Sequence, residues 1–199
     1  QLLCNLEHRG ASGSEVNTGD GAGILIQMPD AFFRARQDEL GFALPPAGDY
    51  GAGLVFLPRD PAQRAAVKDV IARIVAEQGQ DLLGWRTVPT DDSALGARAR
   101  EVEPVFEQIF IGKGDAALGP ESPTGASAFE RALYVIRKRV EKAIDALDPD
   151  ERGLFYVVSL SSATLIYKGM LTASQIAPMF PDLSDPALVS ALAMVHQRF

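Results

Sequence analysis

Short apolar runs bounded by glycine and proline predict buried β-strands along the chain. The four clearest runs lie at residues 24–28, 50–58, 82–89 and 104–114. Each run has an apolar part of strand length, and the last one alternates apolar and polar positions in strand fashion. Pro29 closes the first run, since proline cannot donate a hydrogen bond to a strand ladder.

Apolar residues that recur every three or four positions predict two long helices. Asp60 caps the first, Pro61 occupies its first turn, and Gly79 supplies its stop. The second covers residues 127–147, where apolar positions form one stripe and Arg, Lys and Glu fill much of the other face. A shorter helix is predicted at residues 30–40.

The last third of the chain mixes strand and helix signals. Residues 154–171 hold two β-rich runs around a Ser-Ser-Ala turn, which predicts an antiparallel hairpin. Thr172 and Gln175 form a capping box for a short helix. Residues 187–199 are expected to begin helical and end extended. Because strands and helices do not alternate strictly, an α+β fold with antiparallel pairing is predicted.

Composition and charge limit the class of partner. The 199 residues are 47% hydrophobic and 23% charged, as in a globular protein with a sizeable core. The net charge of −7 argues against nucleic acid, and no apolar run is long enough for a membrane helix, so neither partner is expected. A single cysteine, Cys4, excludes an internal disulfide framework and suits a reducing, cytoplasmic compartment.

The stretch NLEHRGASGSEVNTGDGAG, residues 5–23, carries five of the chain's 18 glycines and few apolar residues. This density of glycine and polarity predicts a loop folded tightly around something small and polar. Its G-x-G-x-G spacing matches neither the dinucleotide fingerprint nor a Walker A loop. His8 and His196 are far apart in sequence and have no other His or Cys at ligand spacing, so no metal site is expected.

Cys4 and His8 lie four residues apart, which would place both on one face of a helix as a candidate nucleophile and base. The apolar neighbours of Cys4 favour a different interpretation. A free cysteine among leucines is typical of a small buried core residue with a raised pKa. Cys4 is therefore predicted not to be a nucleophile.

The segments NLEHRGA and NTGDGAGILIQMPDAFFR resemble the glutaminase domain of the glutamate synthase large subunit. That domain is a class II glutamine amidotransferase of the N-terminal-nucleophile hydrolase fold. The terminal HQRF is similar to the start of the family motif His-Gln-Arg-Phe-Ser-Thr-Asn-Thr, so the resemblance covers the whole chain. It implies a four-layer αββα sandwich of two antiparallel sheets between helical layers. Because both ends fall in mid-pattern, residues 1–199 are expected to be a partial domain, truncated at both ends.

The resemblance also implies a mechanism whose central groups lie outside these residues. The family nucleophile is an N-terminal cysteine whose own α-amino group acts as the base. An Asn-Gly pair supplies the oxyanion hole. The thiolate would form a thioester with glutamine and release ammonia, and water would then free glutamate. With neither group inside residues 1–199, no catalytic residue is expected here, and the isolated chain is expected to be inactive.

Further partners follow from the same resemblance. Ammonia would pass through a tunnel to the synthase domain, where 2-oxoglutarate is aminated and reduced. FMN and an iron–sulfur cluster are implied in that part of the full-length chain, with no cofactor in this domain. A small subunit or ferredoxin would deliver electrons elsewhere on the large chain. The alternatives are a different class II amidotransferase, or a catalytically dead regulatory or binding module on the same scaffold.

Arg198 matches the family arginine that binds the α-carboxylate of glutamine, a task suited to a bidentate donor. Without the resemblance, it would be read as a solvated arginine at a strand end. Arg9 is expected to brace the loop around the nucleophile, or to act as a cation at a helix C-terminus. The residues expected to support the active-site loop are His8, Arg9, Gly10, Asp20 and Gly21. His196 is interpreted as a packed core histidine.

The interpretation of Cys4 predicts the behaviour of one variant. In the complete polypeptide that contains this chain, Cys4→Ala should leave glutamine turnover nearly unchanged, because only a small apolar group is removed. Steady-state glutamine hydrolysis by the variant and the wild type measures this. A loss of several orders of magnitude in a folded variant would contradict it.

Overall fold

Seven strands form two antiparallel sheets in the computed structural model, which describes residues 17–115, 127–147 and 153–197. The strands are β1 (Ala22–Gln27), β2 (Tyr50–Leu57), β3 (Asp81–Thr87), β4 (Val105–Gly112), β5 (Tyr156–Val157), β6 (Thr164–Gly169) and β7 (Ala193–His196). One sheet has the order β3-β4-β2-β5 and the other has the order β6-β1-β7. The predicted α+β class with antiparallel pairing is confirmed.

Six α-helices accompany these strands in the described ranges. They are α1 (Asp30–Arg34), α2 (Gln37–Leu40), α3 (Pro61–Glu77), α4 (Ala97–Glu101), α5 (Ala128–Asp145) and α6 (Ile176–Met179). The two long helices predicted from periodicity, α3 and α5, begin at capped residues. The Asp60 carboxylate accepts a hydrogen bond from the Gln63 amide at 2.8 Å, and the Ser127 hydroxyl accepts one from the Glu130 amide at 3.0 Å.

The four-stranded sheet is covered on one face by α3 and α5. Their apolar stripes bury Val67, Ile71, Ile74 and Val75 from α3, and Leu133, Ile136, Val140 and Ile144 from α5. From the sheet, Val55 and Ile109 join this cluster. A single contiguous core therefore joins the helical layer to the four-stranded sheet.

The opposite face of the four-stranded sheet packs against the three-stranded sheet. Because side chains alternate along a strand, Leu54 of β2 faces this second core while Val55 faces the helices. Leu165 and Tyr167 of β6 pack into the same core from the other sheet. Within the described residues, the two long helices form one layer and the two sheets form two more, which makes three of the four predicted layers.

The predicted hairpin at residues 154–171 is wrong. β5 pairs with β2 in the four-stranded sheet, whereas β6 pairs with β1 in the three-stranded sheet. Between β5 and β6 the chain crosses from one sheet to the other and passes close to Gly53. A Cβ atom on Gly53 would clash with the backbone of Ser159 and Leu160. The Ser159 hydroxyl accepts hydrogen bonds from the amides of Leu54 at 3.5 Å and Ile166 at 3.3 Å. Burial against two different sheets therefore overrides the local turn signal.

The expected helical start of the segment after residue 187 is also absent in the described chain. The Asp185 carboxylate accepts a hydrogen bond from the Ala187 amide at 2.7 Å, which forms a turn instead. The Ser190 hydroxyl accepts from the Gln27 amide at 2.9 Å and donates to the Leu192 carbonyl at 2.6 Å. Side chains of Asp and Ser that hydrogen-bond to backbone groups in this way favour turns over helix. The extended end of the segment is confirmed as β7.

A buried polar network joins the two sheets. Arg86 of β3 donates two hydrogen bonds to the Asp182 carboxylate, at 2.7 and 2.8 Å, and one to the Gln108 side chain at 3.0 Å. Tyr167 of β6 donates its hydroxyl to Asp182 at 2.9 Å and accepts from Gln108 at 2.9 Å. Burial raises the pKa of Tyr167, and the Asp182 carboxylate raises it further, so the hydroxyl keeps its proton.

Removing the carboxylate from this network should be strongly destabilising. Asp182→Ala leaves the Arg86 guanidinium buried without its anionic partner, which costs roughly 3–5 kcal/mol. Hydrogen exchange of β4 and β6 amides in the complete polypeptide would measure the loss. Asp49→Ala is the matched control, because Asp49 pairs with Lys113 at 3.5 Å with both side chains about half exposed. The control should cost less than about 1 kcal/mol, and equal losses in both variants would contradict the prediction.

Candidate functional site

The structure describes two of the residues that the sequence placed at the site. Asp20 and Gly21 lie immediately before β1, where Gly21 is buried and Asp20 is half-buried. The other predicted residues lie outside the described ranges: Cys4, His8, Arg9, Gly10 and Arg198. The site is therefore built from the segment around Asp20 and Gly21, called here the glycine-rich segment (residues 17–23).

Backbone geometry accounts for two of the glycines in this segment. Gly19 packs against the chain that follows β6, and a Cβ atom there would meet the backbone of Leu171 and lie 2.5 Å from the Thr172 amide nitrogen. Gly21 has a φ of 124°, in the left-handed region that L-residues rarely adopt. The segment therefore needs glycine for close approach at one position and for conformation at another.

The start of the glycine-rich segment is held by hydrogen bonds that the sequence did not predict. The Asn17 carbonyl accepts from the Gln175 side-chain amide at 2.9 Å and from the Gly96 amide at 3.3 Å. The sequence predicted Gln175 as the last residue of a capping box, and that box is confirmed. No local sequence pattern predicts the contact between Gln175 and Asn17, since the two residues are 158 positions apart.

The end of β7 lies at the same end of the three-stranded sheet as the start of β1. β7 is antiparallel to β1, and His196 lies opposite Gly23. A Cβ atom on Gly23 would clash with the His196 imidazole, so the missing side chain makes room for the ring. His196 is half-buried rather than enclosed in the core. The chain thus leaves β7 beside the point where the glycine-rich segment enters β1.

Gln197, which follows β7, is 9% exposed and has a buried side-chain oxygen with no hydrogen-bond partner in the described structure. A buried acceptor without a donor costs about 1–3 kcal/mol. A donor from another group is therefore expected to meet this oxygen. This oxygen belongs to the residue that follows β7, at the end of the sheet where Asp20 and Gly21 precede β1.

A cavity of about 670 Å³ opens next to the glycine-rich segment, and Thr18 forms part of its wall. Most of the other lining side chains are apolar, among them Phe56, Leu95, Phe106, Leu171 and Met179. Burial raises the pKa of Glu103 at the cavity wall, and the nearby Asp92 carboxylate raises it further. The charged residues of the lining are Arg98, Glu103 and Asp145.

Neither a cluster of potential metal ligands nor a membrane-spanning helix occurs in the described part of the chain. No group of three or more His, Cys, Asp or Glu side chains there could hold a metal ion. No described helix is long and apolar enough to cross a membrane. With one cysteine in 199 residues, the chain itself cannot supply the thiolates that ligate an iron–sulfur cluster.

Comparison with known proteins identifies the sequence class. The family described as "Glutamine amidotransferases class-II" matches residues 1–199. The NADPH glutamate synthase large chain of Bacillus subtilis (strain 168) is 42% identical over 201 residues, which cover 100% of this chain and 12% of that protein. The NADH glutamate synthase of Schizosaccharomyces pombe is 36% identical over 100% of this chain and 9% of its own. The ferredoxin-dependent chloroplastic glutamate synthase of Oryza sativa subsp. japonica is 35% identical over 98% of this chain and 12% of its own.

These matches confirm the resemblance drawn from the opening and closing motifs, since they extend over the whole chain. The chain spans about a tenth of the length of each of these relatives. The two sheets and the helical layer are also the architecture that the resemblance implied.

The packing of Gly19 predicts a large effect from one methyl group. Gly19→Ala should destabilise the domain by about 3 kcal/mol or more, because the obstacle is backbone that cannot rotate away. Gly41→Ala is the control, since Gly41 has a φ of 75° and open space around its Cβ position. The control should lose only about 1–2 kcal/mol from the left-handed backbone. Hydrogen exchange of β1 and β6 amides measures both, and a smaller loss at Gly19 would show that the two segments are not in tight contact.

Proposed function

The chain belongs to the class II glutamine amidotransferases, and from this membership we propose that it is the glutaminase domain of a glutamate synthase. The observation that carries the proposal is the match of nearly the whole chain to relatives named for three different electron donors: NADPH, NADH and ferredoxin. What these relatives share in this region cannot depend on the donor. Glutamine use is the step of glutamate synthesis that does not involve it.

The proposed reaction is hydrolysis of the side-chain amide of glutamine. A cysteine thiolate outside these 199 residues would attack the amide carbon, with its own α-amine taking the thiol proton. The C–N bond would break to release ammonia and leave a thioester, and water would then release glutamate. An Asn-Gly pair, also outside the chain, would stabilise the oxyanion. Residues 1–199 would contribute the wall of the pocket as part of one larger domain.

Arg198 is proposed to bind the α-carboxylate of glutamine. Its planar guanidinium can donate two parallel hydrogen bonds to a carboxylate. The proposal is supported by the path of β7, which ends beside the glycine-rich segment with His196 opposite Gly23. His8, Arg9 and Gly10 are proposed to support the loop around the nucleophile. Asp20 and Gly21 are proposed to shape the turn into β1.

The rest of the proposed pathway lies in other domains of the complete polypeptide. Ammonia would travel through an internal tunnel to a synthase domain that aminates and reduces 2-oxoglutarate. FMN and an iron–sulfur cluster would serve that reduction, and the single cysteine of this chain requires that any cluster be ligated elsewhere. An electron-donating small subunit or ferredoxin would also bind outside residues 1–199.

An assay of the complete polypeptide tests this function directly. With 2-oxoglutarate and a reductant, glutamine should yield glutamate, and ammonium should replace glutamine as the nitrogen source. Glutamine hydrolysis without amination of 2-oxoglutarate would instead favour a different class II amidotransferase. No hydrolysis of glutamine at all would favour a regulatory or binding module.

Arg198→Ala in the complete polypeptide should lower kcat/KM for glutamine at least tenfold. Charge-assisted hydrogen bonds contribute roughly 1.5–3 kcal/mol, which corresponds to about one to two orders of magnitude. Arg198→Lys should restore part of the loss, because a point charge lacks the two-pronged geometry. Ammonium-dependent synthesis should stay nearly unchanged, since ammonium enters after the glutaminase step. Paired kinetics with glutamine and ammonium measure both effects.

Arg137→Ala supplies the control for this experiment. Arg137 lies on α5 and pairs with Glu141 at 2.8 Å, so its loss should change neither rate appreciably. Equal losses with glutamine and ammonium in Arg198→Ala would mean that Arg198 supports the fold rather than the substrate.

A further inference from the structure

Gln175 makes a set of contacts that its capping box does not require. Its side-chain oxygen accepts a hydrogen bond from the Thr172 amide at 2.8 Å, which completes the box. Its side-chain nitrogen donates to the carbonyls of Asn17 at 2.9 Å and Ala94 at 2.8 Å. Gln175 is 6% exposed. Three segments distant in sequence therefore meet at one buried carboxamide.

The chemistry of these partners selects an amide at this position. The Asn17 and Ala94 carbonyls accept hydrogen bonds from this side chain, and the Thr172 amide donates one to it. The side chain must therefore carry both a donor and an acceptor, as a carboxamide does. A carboxylate would face two carbonyl oxygens. An apolar side chain would remove the partner of the Thr172 amide and the donor to the Ala94 carbonyl, and would leave the Asn17 carbonyl with the Gly96 amide alone. The orientation of the amide is fixed by the same pattern, since the NH₂ group must face the two carbonyls.

These contacts hold the glycine-rich segment at its start. Asn17 begins the segment, and its carbonyl also accepts from the Gly96 amide. Two residues later, Gly19 packs on the backbone of Leu171 and Thr172. The glycine-rich segment is therefore held at Asn17 by the Gln175 side chain and at Gly19 by the backbone of residues 171–172. Asp20 and Gly21 follow at once, so their position depends on this attachment.

We propose that Gln175 is a positioning residue for glutamine hydrolysis, acting through its hydrogen bond to the Asn17 carbonyl. The inference rests on the proposed glutaminase function. By fixing Asn17, the carboxamide sets where the glycine-rich segment enters β1. It thereby sets the position of that segment relative to the end of β7, which lies beside it. Displacements of about 1 Å in a reacting site lower rates by up to about a hundredfold. Gln175 thus acts on the glutamine step and not on later use of ammonia.

Two variants of the complete polypeptide test the proposal. Gln175→Met keeps the length of the side chain and removes its donor and acceptor, so kcat/KM for glutamine should fall at least about tenfold, with ammonium-dependent synthesis unchanged. Gln175→Glu should show a loss that depends on pH. Its carboxyl would lie among two carbonyl oxygens in a buried site, which raises its pKa. Protonation restores one donor, so activity relative to wild type should recover from about pH 8 to about pH 6.

Gln80 provides a matched control. It is 4% exposed, donates to the Gln78 carbonyl at 3.0 Å and accepts from the Gly114 amide at 3.2 Å. Both of these hydrogen-bond partners lie outside the glycine-rich segment (residues 17–23). Gln80→Met and Gln80→Glu should leave the ratio of the glutamine rate to the ammonium rate unchanged at every pH.

The possible outcomes separate this proposal from the function on which it rests. Wild-type polypeptide that uses ammonium but not glutamine would overturn the glutaminase function and this inference with it. Wild type that uses glutamine, with folded Gln175 variants that lose nothing or lose both nitrogen sources equally, would overturn the inference alone. If Gln175→Met does not fold, the test is the change in the glutamine activity of Gln175→Glu, relative to wild type, between about pH 8 and about pH 6. Failure of both variants to fold would assign Gln175 to the fold and overturn its role at the site.

Discussion

The buried pair between Arg86 and Asp182 is the constraint on which the arrangement of the two sheets depends. Arg86 belongs to β3 of the four-stranded sheet, and Asp182 lies in the chain after β6 of the other sheet. A bidentate pair of this kind is stable away from water only when its geometry is good and its remaining groups are satisfied. Gln108 and Tyr167 supply those hydrogen bonds. The network therefore fixes how the sheets lie against each other and where the segment carrying Asp182 is anchored.

That anchored segment also reaches the candidate site. It begins at Thr172, three residues after the end of β6, and includes Gln175 before it reaches Asp182. At one end it is tied to the inter-sheet network, and at the other it holds Asn17 and packs against Gly19. The end of the sheet at which Asp20 and Gly21 lie is thus connected, through this segment, to the buried polar network of the core. Under the proposed glutaminase function, buried contacts of this kind would hold the segment beside the site.

The glycines of the candidate site show how a strong composition signal can have a structural cause. Their density suggested a loop wrapped around a small polar molecule. Two of them instead meet backbone constraints: Gly19 lies against Leu171, and Gly21 adopts a left-handed conformation. A segment that must pass between two packed strands needs small residues, whatever it binds. The proposed link to glutamine therefore rests on family membership and not on glycine content.

The sequence by itself determined the parts of the protein whose contacts are local. The caps of α3 and α5, their apolar stripes and the Thr172–Gln175 box depend on residues three or four positions apart, so spacing alone predicts them. The family motifs likewise identified the class of the chain. Only the tertiary structure shows that β5 and β6 belong to different sheets. The pairing of β5 with β2 and of β6 with β1 outweighs the weak local preference for a turn between them. It alone joined Gln175 to Asn17 and Ala94, since contacts between distant residues depend on packing that no local pattern encodes.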